Sequence, residues 1–180
     1  SMSRNPVASF TSRGGFRLGQ VEFRDFLWES LLDPAAKVTM GDTAENLARQ
    51  YQITRKEVDS FAARSFDRAL AAQKDGFLDG EIVPVTSETF ELPGYESRGI
   101  KLSRKTPEVR TDTHVRPSPV DTLAKIPPAF GGVQTGGNSS AIVDGAAAAL
   151  VANSGYLKKS GKTPLARIVA SAVVGVPPEI

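Results

Sequence analysis

Cysteine is absent from this chain, and histidine occurs once, as His114. Without thiols these residues can form no disulfide, no thiolate metal site and no cysteine nucleophile. A single imidazole leaves no scope for a histidine-based metal cluster. Charge of one sign is scarce too: the net charge is +2 and the pI near 9.0. A nucleic-acid surface needs a concentrated basic patch with aromatics beside it, and none is evident. No run approaches the about 20 apolar residues needed to span a bilayer. Internal repeats, low-complexity tracts and obvious linkers are missing as well.

What is present fits an ordinary globular chain. Its 180 residues are 40% hydrophobic and 23% charged, enough for one domain with a proper core. The first 21 residues hold Arg4, Arg13 and Arg17 and no acid, a composition that imitates an organellar transit peptide. Residues 10–24 read as a hairpin-like excursion, with Gly14-Gly15 able to make the turn. Phe16, Leu18, Val21 and Phe23 are more apolar than a solvated loop requires, which points to a partner surface or to a loop folded back on its own domain. Phe26, Leu27, Trp28, Leu31 and Leu32 form an apolar cluster with Trp28 as its core anchor.

Two helices follow. Ala44, Leu47, Ala48 and Tyr51 recur at helical spacing behind Asp42. Thr54 with Glu57 three residues later forms a capping box, with Ile53 placed to staple onto Val58. The second helix carries Phe61, Ala62, Ser65, Ala69 and Ala72 on its apolar face and stops at Asp75-Gly76. Both read as scaffold. Residues 81–85 are β-like, with Pro84 confining them to an edge or a strand end. The polar, turn-rich stretch 87–116 reads as short hairpin strands. From Arg98 to Arg116, six basic residues (Arg98, Lys101, Arg104, Lys105, Arg110, Arg116) stand against two acids, Glu108 and Asp112. That balance suits an anionic ligand such as a nucleotide, and a solvated charged hairpin explains it equally well. Residues 121–126 form a brief helix stopped by Pro127-Pro128.

The densest signal is residues 135–150, Thr-Gly-Gly-Asn-Ser-Ser-Ala-Ile-Val-Asp-Gly-Ala-Ala-Ala-Ala-Leu. Gly136-Gly137 lets a ligand approach the backbone, and Asn138, Ser139 and Ser140 offer short polar side chains. The missing Gly-Lys-Ser/Thr ending rules out a P-loop. Neither Asp42 with Glu45 nor Asp112 with Asp121 is persuasive as a catalytic carboxylate pair. By propensity the alanine run is helical. Residues 154–160 read as a helix ended by Gly161, and 165–176 as a buried strand.

Six landmarks in order resemble the thiolase family. They are Ser1-Met2-Ser3-Arg4, Met40-Gly41-Asp42-Thr43-Ala44-Glu45-Asn46, Glu81-Ile82-Val83-Pro84-Val85, Leu123-Ala124-Lys125-Ile126-Pro127-Pro128-Ala129-Phe130, the 135–149 stretch, and Pro164-Leu165-Ala166-Arg167-Ile168-Val169. The resemblance implies an α/β, thiolase-like fold in part: an α+β loop domain over 1–134, whose 10–24 loop pairs dimers into tetramers. Residues 135–163 would then be a cofactor-binding loop with the end of the N-terminal core domain, including a buried strand in place of the alanine helix. Residues 164–180 would open the C-terminal core domain. Because its start matches an internal thiolase segment, the transit-peptide reading gives way. The family's cysteines and its Asn-Glu-Ala-Phe and Gly-His-Pro motifs have no counterpart here.

The resemblance further implies acyl transfer between coenzyme A and a second acyl-CoA, with coenzyme A as substrate and no tightly bound cofactor. Homo-oligomers, no nucleic acid, no membrane span, and a cytoplasmic or (in a eukaryote) organellar-matrix location go with it. Carried over by position, Arg116 aligns with the arginine against the adenine ring and Thr122 with a hydroxyl at the adenine edge. Leu31, Met40, Ala129, Phe130 and Ile142 match the apolar cofactor trough; for Leu31 and Ile142 core packing serves as well. Gly136 and Ser140 match the small residue and the serine beside the pantetheine amides. Thr39 stands where many biosynthetic thiolases have histidine, and 130–135 is shorter, so the acyl chain stays open. No catalytic residue and no metal site is expected, and the 180-residue chain alone is expected to be inactive. A non-catalytic coenzyme A-binding or assembly module is the competing reading.

Overall fold

Four of the five helices among the described residues begin where a short polar side chain takes up a free backbone N–H. The computed structural model describes residues 6–10, 14–19 and 21–180; the landmark at 1–4 and part of the 10–24 loop lie outside them. The chain divides into two compact units, Ser1–Leu47 with Ile142–Ile180, and Ala48–Ala141.

In the first unit, β1 (Val7–Ala8) pairs antiparallel with β2 (Arg24–Asp25). This pair closes the base of the expected excursion, and Phe16, Leu18, Val21 and Phe23 are all exposed on it. Asp25 caps α1 (Phe26–Leu31) by accepting the Leu27 N–H at 2.9 Å. The expected core anchor there is not one: Trp28 is 52% exposed, and α1 has no buried residue. Six residues make under two turns, too little helix to enclose an indole. The hairpin of β3 (Leu32–Asp33) and β4 (Val38–Thr39) turns on the Asp33 carboxylate, which accepts the N–H groups of Ala35 and Ala36.

Helix α2 (Met40–Gln50) starts from a reciprocal cap: the Asp42 carboxylate accepts the Thr39 N–H and hydroxyl, each at 2.8 Å, and the Asp42 N–H returns to Thr39 Oγ1. Asn46 then donates to the Glu179 carbonyl at 2.7 Å, fastening the end of the chain within this unit. The helix stops one residue short of Tyr51. Gln52 takes a left-handed φ of 54°, and the Ile53 N–H folds back to the Ala48 carbonyl, leaving Tyr51 exposed.

In the second unit, α3 (Arg55–Lys74) carries the expected capping box at both Thr54 and Glu57. The backbone and hydroxyl of Thr54 hold the Glu57 carboxyl below its ordinary value. Its far end is a Schellman motif. Gly76, at φ 69°, donates to Gln73, and Phe77 donates to Ala72. The apolar face is rotated from the one expected: Ala62 and Ala63 are buried, whereas Phe61 is 65% exposed beneath the Arg64 guanidinium at 5.1 Å. A cation over its ring lets the phenyl group stay at the surface.

Strand pairing begins at Val85, not Glu81. Strand β5 (Val85–Thr86) pairs with β8 (Glu108–Val109), enclosing the hairpin of β6 (Glu88–Phe90) and β7 (Arg98–Ile100). Helix α4 (Val120–Leu123) lays Leu123 against Ala62 and Ala63, with Val120 and Ile126 packed on that core. Back in the first unit, α5 (Ser154–Ser160) has the boundaries expected, with Asn153 as N-cap and Gly161 at φ 66°.

Residues 142–152 and 162–176 correct a further expectation. Neither is a buried strand: every side chain in both is exposed, and neither joins a ladder among the described residues. A strand's backbone groups are satisfied by a neighbour, and here no described strand lies beside them. Among the described residues no helix is long and apolar enough to cross a membrane.

Candidate functional site

The loop 135–140 is built from below. Thr135 is fully buried, and its Oγ1 accepts the N–H groups of Gly137 at 3.1 Å and Asn138 at 3.3 Å. Its own N–H donates to Asn138 Oδ1 at 2.7 Å, so the two side chains close the turn from both sides. Asn138 Nδ2 then donates twice, to the Val133 carbonyl at 3.0 Å and to Asp59 Oδ1 at 2.8 Å. Asp59, in the second turn of α3, is 1% exposed. Its other oxygen accepts Arg55 Nε at 2.7 Å, one helical turn back. Arg55 spends its remaining arm on the carbonyls of Leu123 and Ile126, at 2.7 and 2.9 Å. One chain of charge-assisted bonds thus runs from the end of α4 through α3 to the loop, with every member paired.

Gly137 is required by close approach. A Cβ added there would lie 2.6 Å from Ile126 Cδ1 and 2.7 Å from Leu123 Cδ2. Gly136 is the opposite case: it is exposed, with open space where its Cβ would stand. Ser140 is exposed as well, and Ser139 Oγ reaches Gln134 Oε1 at 3.4 Å. Just before the loop, the Ala129 N–H donates to the Gln134 carbonyl at 2.8 Å, and Gly131 takes φ 76°. That bond draws 129–134 into a short closed turn bearing Phe130.

Of the residues carried over by resemblance, Arg116, Thr122, Ala129, Phe130, Gly136 and Ser140 lie in the second unit and are all exposed. Leu31, Met40 and Ile142 belong to the first; Leu31 is half-buried at the end of α1, and Met40 and Ile142 are exposed. Arg116 is already placed: its guanidinium lies 5.6 Å over the Phe66 ring and reaches the His114 carbonyl at 3.4 Å, while Phe66 and His114 contact each other. In the basic hairpin, Glu108 engages Arg110 through two bonds and raises its pKa further, so Arg110 has a carboxylate partner there. Thr39 is buried in the cap of α2 and so has a local role of its own.

Reading α3 as plain scaffold missed Arg55 and Asp59. A signal was available, since an acid four residues after an arginine makes an i,i+4 pair. Asp59 also falls on the same stripe as Ala62 and Ala63, where an unpartnered carboxylate would be costly.

Comparison with known proteins decides the family. Residues 1–155 match the model described as Thiolase, N-terminal domain. The chain belongs to the thiolase family. Over 184 aligned residues it is 38% identical to the mitochondrial 3-ketoacyl-CoA thiolase of Homo sapiens, covering all of this chain and 43% of that protein. The crystal structure of the Bacillus anthracis acetyl-CoA acetyltransferase superposes with a TM-score of 0.77 at 35% identity, over 99% of this chain and 43% of that one. A structure of the human mitochondrial thiolase in complex with CoA superposes with a TM-score of 0.70 at 30% identity, covering 91% and 38%. The fold is therefore thiolase-like in part: this chain spans less than half the length of these thiolases.

Proposed function

We propose that this chain is the segment of a coenzyme A-dependent acyltransferase that holds the coenzyme A moiety. The observation that carries the reading is the asymmetry of the 135–140 loop. Its underside is fixed by buried bonds, while Gly136 and Ser140 stay on the open side. A fixed backbone with an unobstructed glycine and a nearby hydroxyl suits the amides of a pantetheine arm. Arg116, whose guanidinium lies 5.6 Å over Phe66, has the planar cation needed to stack on adenine and face phosphate. Thr122 would meet the adenine edge, and Ala129 and Phe130 the apolar arm. Leu31, Met40 and Ile142, in the first unit, would be apolar contacts of the ligand by resemblance alone.

The chain supplies positioning and no covalent chemistry. Acyl transfer through a thioester needs a nucleophile, a base to activate it and donors for the oxyanion. These 180 residues contain no cysteine, and their single histidine, His114, has its ring against Phe66, 6.0 Å between centroids. The naked apolar segments 142–152 and 162–176 are, in this proposal, core strands whose neighbours lie elsewhere in a protein of thiolase length. The exposed loop with Phe16, Leu18 and Phe23 would support oligomers. The same exposed surfaces favour a second reading, a non-catalytic module completed by a partner; the intact mass of the native protein separates the two.

The test is Arg116→Ala in the intact protein. Adenine sits far from the reacting thioester, so losing its support removes uniform binding energy. KM for coenzyme A should rise several-fold, from roughly 1–2 kcal/mol of lost stacking and phosphate contact, with kcat much less affected. A collapse of kcat at unchanged KM would sink the assignment.

A further inference from the structure

Asn138, the residue between the open Gly136 and Ser140, has no side-chain donor to offer a ligand without breaking an internal bond. Both donors of its amide are spent, on Asp59 and Val133, and its oxygen takes the Thr135 N–H. An amide has a direction. Were it flipped, its oxygen would face the Asp59 carboxylate and the Val133 carbonyl, and its NH₂ would face the Thr135 N–H. Asp59 therefore selects one orientation of Asn138, and Arg55 selects the orientation of Asp59 by gripping its second oxygen at 2.7 Å. The same Arg55 also binds the carbonyls of Leu123 and Ile126, the two residues whose methyl groups press on Gly137. One guanidinium thus references both supports of the loop, the polar one through Asp59 and the apolar one through the end of α4.

We propose that Arg55, Asp59 and Asn138 are positioning residues for coenzyme A: they hold the 135–140 backbone in the geometry that receives the ligand, and none of them touches it. The inference rests on the reading of that loop as the coenzyme A site. It predicts that donor–acceptor complementarity between 59 and 138 matters more than the presence of polar atoms there. Asn138→Asp keeps the size and the acceptor for the Thr135 N–H, but sets a second carboxylate against Asp59 and removes the donor to Val133. Adding Asp59→Asn restores a donor–acceptor pair in the reverse sense and keeps an acceptor for Arg55.

The experiment measures coenzyme A affinity by calorimetry, and amide hydrogen exchange at Thr135, Gly137 and Asn138, in the intact protein and the two variants. Asn138→Asp should lower affinity at least about tenfold, ~1.4 kcal/mol, with faster exchange at those three amides and slow exchange kept at Ala62, Ala63 and Leu123. The double variant should recover part of both, because the bond to Asp59's position is restored and the one to Val133 is not. Wild-type affinity in Asn138→Asp, or deprotected amides with unchanged affinity, would overturn the proposal. So would a double variant that fails to fold or stays as weak as the single one, since the contact would then serve folding alone. If the wild type itself does not bind coenzyme A, the functional reading falls, and the exchange arm still decides whether the chain positions the loop.

Discussion

Residues 135–141 and 142–152 adjoin in sequence and are comparably rich in small side chains, yet their surroundings are opposite. In the first, Thr135 and Gly137 are buried and Asn138 is bonded at every polar atom of its amide. In the second, eleven successive side chains are exposed, Leu150 and Val151 among them, and no ladder is formed. Apolar content does not separate them, because the exposed segment is the more apolar of the two. The difference is whether the chain brings its own partner. Asp59, Leu123 and Ile126 belong to the same unit as the loop, whereas a strand is stable only beside another strand. Local patterning can therefore name a strand whose burial depends on residues far away.

The comparison can be broken most forcefully on the packed side. Gly137→Ala drives a methyl group into Ile126 and Leu123, both already against the core. Overpacking of this kind costs about 1–3 kcal/mol, measurable as a lower midpoint in urea unfolding. An unchanged midpoint would mean that the loop does not rest on α4. Gly136→Ala meets open space and is the internal reference.

A smaller effect comes from acid. The carboxyl of Glu57 is held low by bonds to Thr54, so it contributes stability above its unfolded value of about 4.5 and loses that contribution as pH falls through the lower folded value. Between pH 6 and pH 3 the wild type should therefore lose more thermal stability than Glu57→Gln, which cannot titrate. Parallel losses followed by circular dichroism would show that the capping box does not couple to folding. The smallest effect is expected on the naked side. Val173 is 98% exposed, and Val173→Ser in this chain should move stability by less than about 0.5 kcal/mol. A loss of several times that size would reveal a covering element.

Much of this was readable from residues close together in sequence. The capping box of Thr54 and Glu57 and the Gly161 stop depend on neighbours a few positions apart, the hairpin of β6 and β7 on partners joined by one turn, and each is present. Trp28, Tyr51 and Phe61 were misread because apolar identity was taken for burial, whereas exposure depends on which face the rest of the unit covers. Leu165 and Val173 are exposed for the same reason as residues 142–152: no described strand lies beside them. The Asp59–Asn138 bond was out of reach in another way: its two halves are common residue types 79 positions apart, and nothing local marks them as partners.

That separation has a kinetic meaning. Joining Asp59 to Asn138 closes a loop of 79 residues, and Arg55 joining Ile126 closes one of 71. The entropic cost of such closures grows only slowly with length, but contacts this distant slow folding. The small helices and hairpins between them can form first, since their bonds are short-range. The 135–140 loop is then complete only after the two ends of the unit have met. A ligand of that loop would bind the closed unit alone and stabilise it in proportion to its concentration.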